Sequence, residues 1–284
     1  MGSRAARWLE RIAPVVPLAW LAMLFLVPLG FTVVFSFSHP TFGGVELGFT
    51  LENFRQALTG FYRQIFIRTI EFAALGTLLC LIVATPLAYT LARKAGRYKT
   101  PLLVLLLVPF WTSFLIRTLS WQIILAPGGH LEAILNFLHL HHGTLDILDS
   151  QTAVFIGIVY GYLPLTAIPL FVAFERIRPE VIEASKDLGG NRIRTFLHVT
   201  LRLARPGIAT AVLLTFVPMT GEFVIPAILG GNKGVLMGGL ISSEYLEAAN
   251  YSLGSAMAVL VLLVLGVAVA IFARATRGFA EAPS

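Results

Sequence analysis

The stretch EASKDLGGNRIRTFLHVTLRLARPGI, Glu183–Ile208, is the longest polar run in a chain otherwise built of apolar blocks. Just before it, Arg178-Pro179-Glu180 opens a helix: proline suits the first helical turn and the acid suits its positive end. Val181, Ser185 and Leu188 fall on one side at helical spacing, with Glu183, Lys186 and Asp187 elsewhere on the turn. Gly189-Gly190 supplies a stop. The spacing predicts a helix over Pro179–Gly189, about 15 Å long at 1.5 Å per residue. Asn191 caps a second amphipathic stretch carrying Ile193, Phe196, Leu197 and Thr200, and Pro206-Gly207 begins the next apolar block. A short amphipathic helix of this kind either lies among lipid headgroups or enters a groove on a partner. The small run Glu183-Ala184-Ser185 favours close docking.

Working outward, six blocks are long enough to cross a bilayer as helices: 15–37, 65–91, 101–125, 152–174, 207–229 and 253–272. The 284 residues are 57% hydrophobic and 13% charged, with a mean hydropathy of +0.82. That balance excludes a soluble globular domain. The net charge of +6 is not a nucleic-acid footprint, because the basic residues sit in alternate connecting segments. Three lie in the N-terminal tail (Arg4, Arg7, Arg11), four in Arg93–Lys99, seven in the 175–206 loop and two in the C-terminal tail. The intervening segments carry few, which places both termini and the 175–206 loop in the cytoplasm. The N-terminal apolar block is too long for a signal-peptide core and lacks a small-x-small cleavage pattern, so it is expected to remain as the first span. The expected fold is an all-α polytopic membrane protein forming a single transmembrane domain over 1–284.

Outer segments lean acidic, with Glu46, Glu52, Glu132, Asp146, Asp149, Glu244 and Glu247. Such a face concentrates cations, or simply reflects the exclusion of basic residues there. Prolines 28, 86, 109, 164, 169, 218 and 226 lie in or beside the spans, where transport proteins often break their helices. Within the spans, Glu71, Arg117 and Glu222 are charged and need a partner or a wet cavity. Counting along the helices puts them roughly 8–12 Å below the outer boundary, in one layer. Arg117 is expected either to pair with Glu71 or Glu222, or to leave one carboxylate free for a cationic solute. Trp111, Trp121, Tyr160 and Phe223 can stack on an alkylammonium or serve as packing. Cys80 reads as a small buried hydrophobe. His139, His141 and His142 match no metal-ligand spacing, and no metal site is expected.

The run beginning at Glu183 resembles the EAA loop of ABC-importer permeases: Glu183, Ala184 and Gly189 match, and Ser185 stands where a second alanine is usual. Leu201-Arg202 stands where the family usually has Leu-Pro. VPFWTSFLIRTLSW (Val108–Trp121), PLFVAFERIRPEVIEASKDLG (Pro169–Gly189) and VPMTGEFVIPAILGG (Val217–Gly231) resemble the spermidine/putrescine branch in particular. The resemblance extends over about Pro101–Val261 and implies the type I importer permease fold. It further implies that Pro179–Gly189 is a coupling helix, with Glu183, Ala184, Ser185, Asp187, Leu188 and Gly189 seated on an ATP-binding subunit. Glu222, Glu71, Arg117, Phe223 and Trp111 are the expected path residues for a polyamine. The chain has no G-x-x-x-x-G-K-[ST] loop, so ATP and magnesium are expected on partner ATPase subunits and no cofactor here. A sister permease forming a heterodimer, an external solute-binding protein and the bacterial inner membrane complete the expectation. The alternative is an ion-coupled secondary carrier working through Glu222; an intramembrane enzyme finds no support in metal-ligand clusters or a G-x-S-x-G elbow.

Overall fold

The computed structural model describes residues 15–41, 44–140 and 143–280. The basic N-terminal tail and His141 and His142 lie outside them. Among the described residues, four helices are long and apolar enough to cross a membrane: Val15–Ser36, Gly60–Arg93, Gln151–Arg176 and Tyr251–Arg274, the last continuing as helix to Ala280. These coincide with the first, second, fourth and sixth expected spans; the first ends one residue earlier than expected, and the other three run beyond the expected bounds at both ends. The two remaining expected spans are not straight helices. Gly96–Trp111 and Phe114–Leu125 meet at 90°, and Arg192–Leu203 meets Arg205–Thr220 at 71°. The fifth span breaks again after Thr220 before the short helix Val224–Leu229. The expectation of unbroken helices over 101–125 and 207–229 is thereby corrected. Pro109, Pro218 and Pro226 each remove an N–H from the ladder beside these breaks.

The all-helical expectation needs one small amendment. His39–Thr41 and Gly44–Glu46 form an antiparallel two-stranded pair, with Pro40 opposite Val45. Short helices Glu52–Ala57, His130–Phe137 and Met237–Leu246 occupy other connecting segments.

The chain divides into two compact units. One takes residues up to Arg63 together with Leu240–Leu262; the other takes Gln64–Gly239 and the chain from Leu263. In the first unit, helix Val15–Ser36 has none of its apolar window buried. Its Ser36 end is held by buried Asn53, whose amide donates to the carbonyls of Ser36 and Ser38 at 3.1 and 2.8 Å. Tyr62 donates to Glu244 at 3.0 Å in the same unit.

The second unit holds the core that positions the site. One cluster joins Ala73, Cys80, Ile158, Met219 and Leu229; another joins Ala84, Leu170, Phe174, Ala204 and Ala211. Helices Gln151–Arg176 and Arg205–Thr220 pack so closely that a Cβ on Gly207 would collide with the Cβ of Ala173. Between the same helices, the hydroxyls of Thr166 and Thr215 meet at 2.8 Å, fully buried. Small residues permit the backbone approach and paired hydroxyls bridge it, as expected where lipid offers no hydrophobic drive between helices.

Candidate functional site

The 175–206 loop folds as a helix, a stop and a second helical segment. Helix Pro179–Asp187 begins with Pro179 in its first turn and carries Glu180 there. Its end is a paired-glycine stop: Gly189 adopts φ +84° and donates to the Lys186 carbonyl at 2.9 Å, and Gly190 donates to the Ser185 carbonyl at 2.9 Å. The left-handed conformation is the one that closes orphan carbonyls at a helix end and suits glycine. At Gly190 the reason is space, since a Cβ would lie 2.5 Å from the Ser185 carbonyl oxygen. Asn191 then caps the next turn, its side chain accepting from the Arg194 N–H at 2.8 Å.

Ser185 and Thr195 share a hydrogen bond of 3.0 Å across this stop. Thr195 is buried, so the hydroxyl that stands where the family usually has a methyl fastens the two segments together. Thr195 was invisible as a partner in the sequence, where only its helical register showed. Glu183, Ala184, Asp187 and Gly189 are exposed, and Leu188 is 89% exposed. The expected common face of Val181, Ser185 and Leu188 is therefore split. Ser185 turns to its own chain, while Leu188 lies past the last helical turn and stands clear.

The membrane residues group around the two breaks. At the first, the Thr112 hydroxyl donates to the Pro109 carbonyl at 2.7 Å, and Arg117 donates to the same oxygen at 3.4 Å. The Arg117 guanidinium also lies 4.3 Å from the centre of the Phe110 ring, a cation–π distance. The ion pairs among the described residues include Arg55–Glu52, Lys99–Glu175 and Arg178–Glu180, and none of these involves Arg117. The pairing of Arg117 with Glu71 or Glu222 is thus absent from them. The broken helix supplies the reason, because its freed carbonyl and an aromatic face receive the guanidinium locally.

At the second break, Glu222 is 8% exposed and fully engaged. One carboxylate oxygen accepts the N–H groups of Val224 and Ile225 at 2.8 and 3.2 Å. The other accepts the Tyr162 hydroxyl at 2.7 Å. A carboxylate at the start of a helical turn meets orphan N–H donors and the positive dipole end. Tyr162 was missed by sequence reasoning; its signal was a phenol within an apolar span, which needs a partner when buried.

Glu71 is exposed and lines a cavity of about 130 Å³ with Arg68, Phe72, Phe155 and Pro226. Arg68, inside the second span and one turn before Glu71, is a further charge the sequence reading passed over. Arg117 lines a separate small cleft with Trp121, Tyr160 and Ile225. Trp111 is 81% and Phe223 42% exposed. The structure therefore distributes the expected path residues over two helix breaks and a cavity beside one of them.

Comparison with known proteins gives a consistent result. A family model described as the inner membrane component of binding-protein-dependent transport systems matches residues 84–277. The spermidine/putrescine transport system permease protein PotB of Salmonella typhimurium is 31% identical over 269 residues, covering 94% of both chains. PotB of Escherichia coli K12 is 33% identical over 233 residues, covering 82% of this chain and 85% of that protein. Among solved structures, a bacterial ABC transporter that imports the acidic polysaccharide alginate has a chain that superposes with a TM-score of 0.75. It shares 16% identity and covers 96% of this chain and 99% of its own.

Proposed function

The chain belongs to the family of binding-protein-dependent transport system inner membrane components and is a permease subunit of an ABC importer; from that premise we propose that it carries a polyamine such as spermidine or putrescine. The names of the relatives at 31–33% identity support that substrate class. An exposed carboxylate at Glu71, in a cavity walled in part by Phe72 and Phe155, is chemistry suited to an alkylammonium chain. In this reading the chain spans the bacterial inner membrane six times, each bent pair counting as one span, with both termini in the cytoplasm. The family assignment sets aside the ion-coupled carrier.

Pro179–Gly189 docks on an ATP-binding subunit, where ATP and magnesium are held. A sister permease and an external solute-binding protein complete the importer, as the alginate transporter crystallised with its periplasmic protein illustrates for that system. Glu71, Arg117, Trp111 and Phe223 lie along the path, and Glu222 shapes it by holding the second break. The observation that carries the docking role is Leu188, an apolar side chain 89% exposed at the tip of a polar loop. A monomeric soluble surface gains nothing from such exposure, whereas a partner's cleft does.

Glu183→Arg tests the reading. The variant is expected to reach the membrane in normal amount while ATP-driven polyamine uptake into proteoliposomes falls to background. Uptake at the wild-type rate would remove Pro179–Gly189 from the coupling role.

A further inference from the structure

A cavity of about 1040 Å³ in the second unit runs along the end of helix Gly60–Arg93 and against the 179–196 segment. Its long wall is one face of that helix. Leu81, Ile82, Pro86 and Tyr89 come first, and then Arg93 and Lys94 where the helix ends. The span from Leu81 to Lys94 rises about 20 Å, slightly more than one leaflet of a bilayer whose hydrocarbon is about 30 Å thick. The opposite lip adds Lys186 and Arg192, with Glu183 as its acid.

None of these four cations makes an ion pair with a carboxylate among the described residues. Arg93 donates one terminal nitrogen to the Ile177 carbonyl, which fixes its head. Its Nε is buried without a hydrogen-bond partner.

We propose that this groove is a binding site for one anionic phospholipid of the cytoplasmic leaflet. The phosphate diester lies among Arg93, Lys94, Lys186 and Arg192, and an acyl chain lies along Leu81, Ile82 and Pro86. This rests on the cytoplasmic placement of the 175–206 loop given above. Two features select lipid over a soluble partner. The mainly apolar wall from Leu81 to Tyr89 rises about 12 Å, most of one leaflet's hydrocarbon depth and farther than an ATPase subunit outside the membrane reaches. The charge sits only at the end where headgroups lie, and four cations against one carboxylate complement an anion. Basic pockets at the cytoplasmic ends of spans are suited to anionic headgroups. A lipid seated here would touch both the second span and the docking helix, so its headgroup would brace the joint between them.

The test uses the complete transporter, purified with its ATPase subunits and exchanged into nanodiscs of equal phosphatidylglycerol and phosphatidylcholine. Lipid retained after detergent extraction is read by native mass spectrometry. Wild type is expected to keep one phosphatidylglycerol per copy of this subunit. Lys94→Gln/Arg192→Gln, which leaves the Arg93–Ile177 bond in place, is expected to keep about tenfold less. Equal retention of both lipids, equal retention by wild type and variant, or phosphatidylglycerol binding only after the ATPase subunits are stripped would overturn the site. Lys94→Cys in a Cys80→Ala background is labelled in parallel from each side of the membrane. Labelling from outside refutes the topology, whereas labelling from inside with no lipid preference refutes the site alone.

Discussion

Glu222 shows how a charge within an apolar span is made tolerable. Three hydrogen bonds to its two oxygens replace the water it has lost, and bonds to an ionised acceptor are among the stronger ones a protein makes. Tyr162→Phe removes one donor while keeping the ring. The expected loss is about 1–3 kcal/mol, seen as earlier thermal unfolding of the detergent-purified subunit. Glu222→Gln keeps an acceptor for the two N–H groups and is expected to cost less than Tyr162→Phe combined with Glu222→Ala. If Tyr162→Phe unfolds with wild type, the bond contributes nothing. In the sequence, Glu222 stood out as an acid between two prolines. Its partner lies 60 residues away, and nothing in a linear pattern tells which faces of two helices meet.

At the scale of elements, the docking loop was legible because its signals are local: proline at the first turn, a glycine pair at the stop and asparagine at the next cap. The two glycines do different work, and substitution separates them. Gly189→Ala places a side chain at φ +84°, a conformation costing about 1–2 kcal/mol, but meets open space. Gly190→Ala drives a Cβ against the Ser185 carbonyl and within 2.9 Å of the Thr195 hydroxyl, at the hydrogen bond that fastens the loop. Gly190→Ala is therefore expected to reduce ATP-driven uptake more than Gly189→Ala, and to speed amide exchange over 185–195; the reverse order would show that backbone strain, not crowding, governs the stop. The spans were legible in number of apolar blocks but not in course. Window hydropathy has the same value for a straight helix and one bent by 90°. Pro109 marked the first bend, yet Pro86, Pro164 and Pro169 lie inside helices that continue, so proline alone does not announce a break.

For the molecule as a whole, the distribution of Lys and Arg makes a topological prediction that the helix count leaves open. In a Cys80→Ala background, Arg97→Cys and Asn191→Cys are expected to react with an impermeant maleimide only from the cytoplasmic side, and Glu46→Cys and Asp146→Cys only from outside. Labelling of Arg97→Cys and Asp146→Cys from one side would mean that the bent pair does not cross. The short strand pair at 39–46 was beyond sequence reading, since three residues a side carry too little pattern to show a period of two.

The first helix has a different relation to its surroundings from the rest of the chain. Its 22 residues, about 33 Å long, are bare to lipid along the shaft, while Asn53 grips the chain where the helix stops. It resembles a mast stepped at its Ser36 foot, with none of its apolar window buried by the described residues. Its lean should then follow membrane thickness, so thicker and thinner bilayers will hold the same rod at different angles while its foot stays put.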